Sequence, residues 1–277
     1  MPNSELTVES HYTQSDLRSA ILTAIAESGL DPDNLTEKDI AAIGEFHVRG
    51  REATTEVATL VQLKESDTVL DVGCGVGGPS RHIATEYGCH VTGIDLTEEY
   101  CQVAEMLAEL TGLKDKVSFQ HGDALDLPFE DATFDVVWTQ HASMNISDRP
   151  RLYSEMYRVL KPGGRLVIYD VIAGDGEPLH FPVPWAAKQS ISFLLNAEDL
   201  RAVLEHTGFE VVTWRNVTES TLEWMAKMAA SPPASTAPSL TLKLLMGADM
   251  AEKAGNLRRN LKEGKINLLQ AVLTHGA

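Results

Sequence analysis

The run Thr68-Val69-Leu70-Asp71-Val72-Gly73-Cys74-Gly75-Val76-Gly77-Gly78-Pro79 holds the residues best suited to chemistry. Apolar, β-branched residues that give way to closely spaced glycines read as a buried strand entering a loop. The bare backbone of that loop can come close to a ligand. Pro79 suits the first position of a following helix, where its missing N–H costs nothing. Strand, glycine loop and helix start together make a nucleotide cradle. Gly73, Gly75 and Gly78 also satisfy G-x-G-x-x-G, so a dinucleotide matches the pattern too. Asp71, two residues before the first glycine, would repel a diphosphate and favour a ligand carrying an ammonium and a sulfonium. Further polar residues stand where later strand-like runs stop: Asp95-Leu96, then Asp123-Ala124, then Gln140-His141. Of these, His141 is the natural candidate for a general base, the alternative being a side chain that only orients a substrate or cofactor.

The elements that must hold these groups alternate in type. Runs at 90–96, 117–121, 134–138 and 165–171 read as strands separated by helical patterns, which predicts a parallel sheet covered on both faces. In such a sheet ligands bind beyond the carboxyl ends of the strands, at the switch in strand order. Thr97 is expected to cap the helix after the second strand, with Glu98 and Glu99 in its first turn. Lys161-Pro162-Gly163-Gly164 has Pro and Gly where a type II turn wants them. Residues 1–15 are polar and read as loose, and helical patterns then run to about residue 65. The first carries Leu17, Ala20, Ile21, Ala24 and Ile25, with Thr13 and Asp16 as a capping pair. A second spans about 36–43, and a third carries Ala53, Val57, Leu60 and Val61. Residues 218–262 read as helix broken at 231–238 by a Pro- and Ser-rich stretch, a hinge or mobile loop. A helix at 196–207, a strand at 209–214 and a last strand at 266–274 complete the reading.

At 277 residues the chain is long enough to bury a full core, and its composition, 43% hydrophobic, is that of an ordinary globular protein. No apolar run is long enough to span a membrane. The first residues, MPNSELTVES, lack the basic start and apolar core of a secretory signal. Three cysteines, Cys74, Cys89 and Cys101, cannot all pair within the chain and fit no zinc spacing, so no metal is expected. A reduced, cytoplasmic setting follows. A net charge of −17 with no Lys/Arg-rich run argues against nucleic acid as a partner.

The stretch VLDVGCGVGG closely resembles the cofactor loop of class I S-adenosylmethionine-dependent methyltransferases. The acidic residues at the next strand ends and the Leu160-Lys161-Pro162-Gly163-Gly164 turn are similar to that family as well. The resemblance covers residues 68–171. It implies a doubly wound, mostly parallel seven-stranded sheet whose last strand is antiparallel. It also implies S-adenosylmethionine as cofactor, S-adenosylhomocysteine as product and a small molecule as acceptor. The implied cofactor residues are Asp71, Gly73, Gly75, Gly77, Asp95 with Leu96 at the ribose, Asp123 with Ala124 at the adenine, Gln140, and Tyr12 if the first helix folds over the site. Domain organisation is then an N-terminal helical cap (1–65), a methyltransferase core (66–217 and 265–277) and a helical insertion (218–264). The insertion is read as a lid or the surface of a homodimer.

The segment 138–146, the cap and the insertion resemble the glycine, sarcosine and dimethylglycine N-methyltransferases, and more loosely the ubiquinone and sterol types. An amine nitrogen is therefore the first expectation for the acceptor, with oxygen or carbon as alternatives and a non-catalytic cofactor-binding protein beyond those. Substrate-side candidates are His47, His141, Asn145, Tyr169, His180, Phe181 and Trp185. The aromatic faces would hold a quaternary amine by cation–π attraction.

Overall fold

The computed structural model describes residues 7–12, 16–230 and 240–276. One seven-stranded sheet runs in the order β3-β2-β1-β4-β5-β7-β6. The strands are β1 (Thr68–Val72), β2 (His90–Asp95), β3 (Val117–His121), β4 (Phe134–Gln140), β5 (Leu160–Ala173), β6 (Phe209–Asn216) and β7 (Ile266–His275). β1 pairs in parallel with β2 on one side and β4 on the other, so the strand order reverses beside it. β7 lies antiparallel to both β5 and β6, as the resemblance implied.

The central strands are buried on both faces, and alternate residues feed opposite cores. Val69, Val136, Trp138, Val167 and Tyr169 join one core, shared with Ala53, Val57 and Val61 of α4 (Gly50–Val61) and Ile83 of α5 (Gly78–Tyr87). Leu70, Val137, Leu166 and Ile168 join the other. That core packs under α7 (Arg149–Val159) and α8 (Ala197–Thr207) through Leu152, Met156, Leu200 and Leu204. A third cluster lies off the sheet. It joins Leu17, Ile21 and Ile25 of α2 (Leu17–Glu27) to Tyr100, Val103 and Leu107 of α6 (Glu98–Leu110). The remaining helices are α1 (Val8–Tyr12), α3 (Ala41–Gly44), α9 (Thr218–Ala230), α10 (Lys243–Met246) and α11 (Met250–Lys262). None among the described residues is long and apolar enough to cross a membrane.

Several local expectations are corrected. Helix at 36–43 shrinks to α3, because Asp39 Oδ2 accepts the Thr36 N–H at 2.9 Å and that local turn competes with helix. Thr97 makes no side-chain cap; its N–H is taken instead by Asp95 Oδ1 at 2.9 Å. Asp16 also makes no cap bond, Ala20 faces solvent, and Thr13 and the break at 231–238 lie outside the described residues. The turn at 161–164 is absorbed into β5 as an irregularity, where the pairing with β4 shifts between Phe134 and Val136. Gly163 there has φ +75°, as the third residue of a type II turn requires.

Candidate active site

A cavity of about 770 Å³ opens beyond the carboxyl ends of β1, β2 and β4. Its floor is the glycine loop between β1 and α5. Cap and loop meet backbone to backbone: a Cβ on Gly78 would stand 2.0 Å from the Gly44 carbonyl oxygen, so only glycine permits α3 to lie there. Arg81, buried on α5, braces the loop through an Nη1 bond to the Val76 carbonyl at 2.6 Å. Among the described residues nothing lies within 4 Å of where a Gly75 side chain would be, so bare backbone faces the space.

Asp95 closes the loop from the β2 side. Its Oδ2 accepts the Gly75 N–H at 2.9 Å while Oδ1 accepts the Thr97 N–H. Burial pushes its pKa up, against those bonds. Two backbone donors fix the carboxylate, leaving further lone pairs for vicinal hydroxyls. Asp123 accepts the Leu125 N–H at 2.9 Å and lines the cavity with Ala124 and Leu96. A ribose and an amino-substituted base suit this donor and acceptor set. Among the described residues, six that line the cavity carry a buried polar atom with no hydrogen-bond partner: Glu45 Oε1, Arg49 Nε, Arg51 Nε, Tyr100 Oη, Gln140 Nε2 and His141 Nε2. Such atoms are costly unless a bound molecule meets them. The residues present fit S-adenosylmethionine.

His141 stands where the strand-end floor meets the upper wall. Its φ of +50° is in the left-handed region, and its N–H donates to the Tyr169 carbonyl at 2.8 Å. The turn after it is tied down by Asp170, which accepts from the Ser143 hydroxyl and, at 3.2 Å, the Ser143 N–H. The His141 ring lies 4.8 Å from that of Tyr169 and 6.0 Å from that of His47. Burial, helped by His47, holds its pKa well below the ordinary imidazole value, so the ring is neutral near pH 7. His47 is also neutral, lowered by burial to about 4, and bonds to the Gly50 carbonyl and Thr54. Thr54 in turn donates to Glu45, whose carboxyl burial raises to about 7.

The upper wall is apolar and comes from parts of the chain far apart in sequence. Val8 of α1, Trp185 and Pro184 of the loop after β5, Trp224 and Met225 of α9, Leu242, Leu245 and Met246 around α10, and Leu257 of α11 all face the space. Asn145 clamps two of these pieces, α1 and the loop after β5. It accepts from Tyr12 Oη at 2.8 Å and donates to the carbonyls of Trp185 at 2.7 Å and Ile191 at 3.0 Å.

The structure therefore brings Gly73, Gly75, Asp95, Leu96, Asp123, Ala124, Gln140, His141, His47, Asn145, Trp185 and Tyr12 to one cavity wall. Other sequence candidates stand elsewhere. Asp71 is buried beneath the loop, accepting from Ser80 Oγ at 2.6 Å. Gly77 faces Phe119 and Arg81. Tyr169 lies behind the histidines with its hydroxyl on the Val48 carbonyl at 3.0 Å. His180 is engaged with Glu263 at 2.7 Å and Lys265 at 3.0 Å near the surface. Phe181 packs on the sheet core. Sequence reading missed Glu45, Tyr100 and the apolar residues of the insertion. The signal of Tyr100 and of the insertion, an apolar stripe on a helix, is the same one that any core helix gives.

Residues 70–168 match the family model described as a methyltransferase domain. Methyltransferase GfsG of Streptomyces halstedii is 30% identical over 218 residues, covering 77% of this chain and 76% of that protein. A probable chloroplastic tocopherol O-methyltransferase of Oryza sativa subsp. japonica is 45% identical over 105 residues, 38% of this chain and 29% of that protein. The chain spans less than half the length of that tocopherol relative and of a Saccharomyces cerevisiae sterol 24-C-methyltransferase that it also matches. Among solved structures, a Haemonchus contortus phosphoethanolamine N-methyltransferase in complex with S-adenosylhomocysteine has a TM-score of 0.68. It is 19% identical and covers 98% of this chain and 61% of that one, a likeness of fold. With the strand-end cradle, the fixed Asp95 and these matches together, the chain belongs to the S-adenosylmethionine-dependent methyltransferases.

Proposed function

We propose that the protein methylates a lipophilic small molecule. The observation that carries this reading is the continuity of one cavity, polar at the strand ends and apolar under α9, α10 and α11, with His141 at the junction. Gly73, Gly75, Asp95, Leu96, Asp123 and Ala124 would hold the cofactor, which when bound supplies an electrophilic methyl on a sulfonium and departs as neutral S-adenosylhomocysteine. The chain's share of the work is to align the acceptor, exclude water and receive a proton. His141, uncharged near pH 7 and with a ring nitrogen that has no partner among the described residues, is placed for the last task.

The amine expected from the sarcosine-type resemblance suits this wall less well. An alkyl amine reaches the site as an ammonium, and of the aromatic pair in the loop that was to hold it only Trp185 lines the cavity, while Phe181 packs on the sheet core. A tocopherol methyltransferase among the relatives supports a lipophilic acceptor. The described parts of the N-terminal cap and of the insertion would act as walls of the acceptor half. The buried free thiols of Cys74, Cys89 and Cys101 support a reducing, cytoplasmic setting.

The test is S-adenosylhomocysteine release from labelled donor with a metabolite extract split into organic and aqueous fractions. The label is expected in the organic fraction. Methyl transfer confined to the aqueous fraction would overturn the lipophilic reading, and tight donor binding with no transfer to either fraction would favour the non-catalytic alternative. His141→Ala should lower kcat by about 100-fold, the typical worth of a general base, with S-adenosylhomocysteine affinity little changed.

A further inference from the structure

Gln140 ends β4 directly before His141, is 7% exposed and lines the cavity. Its side-chain orientation is fixed by chemistry. The indole Nε1 of Trp138 can only donate, so the Gln140 atom 2.8 Å from it must be the amide oxygen. Thr54 Oγ1 lies 3.4 Å from the same oxygen. The amide –NH₂ is left as a buried donor with no partner among the described residues. It is held in one orientation by the indole N–H of a fully buried tryptophan. The cavity wall thus carries, on consecutive residues, a donor that cannot rotate into an acceptor and a neutral imidazole nitrogen that is equally unpartnered.

Resting on the lipophilic-acceptor reading above, we propose that the methylated atom is an oxygen, of a phenol, enol or alcohol, which accepts from the Gln140 amide and gives its proton to His141. A hydroxyl oxygen has two lone pairs, one for the Gln140 N–H and one for the incoming methyl. As the oxygen–carbon bond forms, the carbon–sulfur bond breaks with its electron pair staying on sulfur, and the hydroxyl proton passes to His141. An amine has a single lone pair, which the methyl takes. Its remaining N–H groups would then face the Gln140 –NH₂, donor against donor. A carbon acceptor without an oxygen beside it gives the amide nothing to bond. The fixed donor therefore selects the chemistry of the acceptor, while the apolar wall selects its bulk.

The experiment uses 2-naphthol and 2-naphthylamine, of one shape and differing in the heteroatom, titrated onto the full chain saturated with S-adenosylhomocysteine. The wild type should bind the naphthol about ten-fold more tightly, the worth of one well-placed hydrogen bond. Bound naphthol should also show the naphtholate absorption band at a lower pH than in water. Gln140→Leu should bring the two affinities to within about two-fold. Gln140→Glu keeps an oxygen for Trp138 and so guards against loss of folding, checked by circular dichroism; it should lose the naphthol preference too. Equal affinities in the wild type, or a preference that survives both variants, would overturn the oxygen assignment alone. A loss of S-adenosylhomocysteine affinity beyond about ten-fold in Gln140→Glu would move the amide to the cofactor and overturn it as well. Failure of both probes to bind while S-adenosylhomocysteine does would sink the lipophilic reading, and this assignment with it.

Discussion

The two halves of the cavity are built on opposite principles. The cofactor half is backbone and carboxylate at the ends of strands whose register is set by the sheet, and Asp95 is fixed by two N–H groups before any ligand arrives. The acceptor half is side-chain surface, supplied by α1, the loop after β5 and the helices between β6 and β7, and held together by a few polar clamps such as Asn145 and the Trp224–Glu52 bond at 2.9 Å. One half recognises by preset hydrogen bonds and the other by shape and dryness. A change in the first should therefore act on the cofactor and spare the acceptor, and a change in the second should do the reverse.

The largest effect is expected from Asp95→Ala. It removes the acceptor for Gly75 and Thr97 together with the lone pairs offered to ribose. Loss of two or more hydrogen bonds to a charged group should weaken S-adenosylhomocysteine binding by about 100-fold or more in calorimetric titration. Unchanged affinity would mean that the loop holds the cofactor without its carboxylate. A smaller effect is expected from Met225→Asn on α9, which puts an amide into the apolar wall. Apolar burial of a methionine side chain is worth roughly 1.5–3 kcal/mol, so partial loss should raise KM for the acceptor by about ten-fold. The cofactor constant should hold. If both constants moved together, the two halves would not be separable.

The same contrast decides what the sequence could disclose. The cradle was legible because a glycine loop after a β-branched strand and single acids at later strand ends are local patterns, and the sheet then carries them to one edge. Tyr12 and His47 were readable as candidates but not as neighbours, since only the folding of α1 and α3 over the loop brings them in. That folding depends on Gly44 meeting Gly78, a contact between residues that no local pattern links. The apolar wall was harder still. Met225, Leu242 and Leu257 look like core residues, and here they line a space. His180 and Phe181 misled for the converse reason: ligand-like residue types in a Pro-rich loop, one engaged by Glu263 and Lys265, the other packed on the core.

Asp71 sharpens the comparison most finely, because the sequence argument gave it a charge facing the ligand. In the fold it lies under the loop, and burial pushes its carboxyl up to about 7, with Asp95 and Glu45 adding to the rise and the Ser80 bond opposing it. A carboxyl whose folded pKa exceeds the unfolded value of about 4 binds more protons folded than unfolded between those limits. Its contribution to stability is complete below about pH 4 and is lost as pH rises through about 7. His47 and His82, both lowered to about 4, act in the opposite sense, adding stability as pH rises to about 6.5 and nothing beyond. The interval from about pH 6.5 to 8 is therefore where the buried acids act without them. Thermal melts of the cofactor-free protein should show Tm falling there, and Asp71→Asn should shrink that fall by roughly 2–4 °C. The fall should shrink rather than vanish, since Glu45 also titrates near 7. An undiminished slope would mean that Asp71 is already ionised in the fold, returning it to the role of a fixed negative charge beneath the methyl donor and blurring the division between a preset half and a packed one.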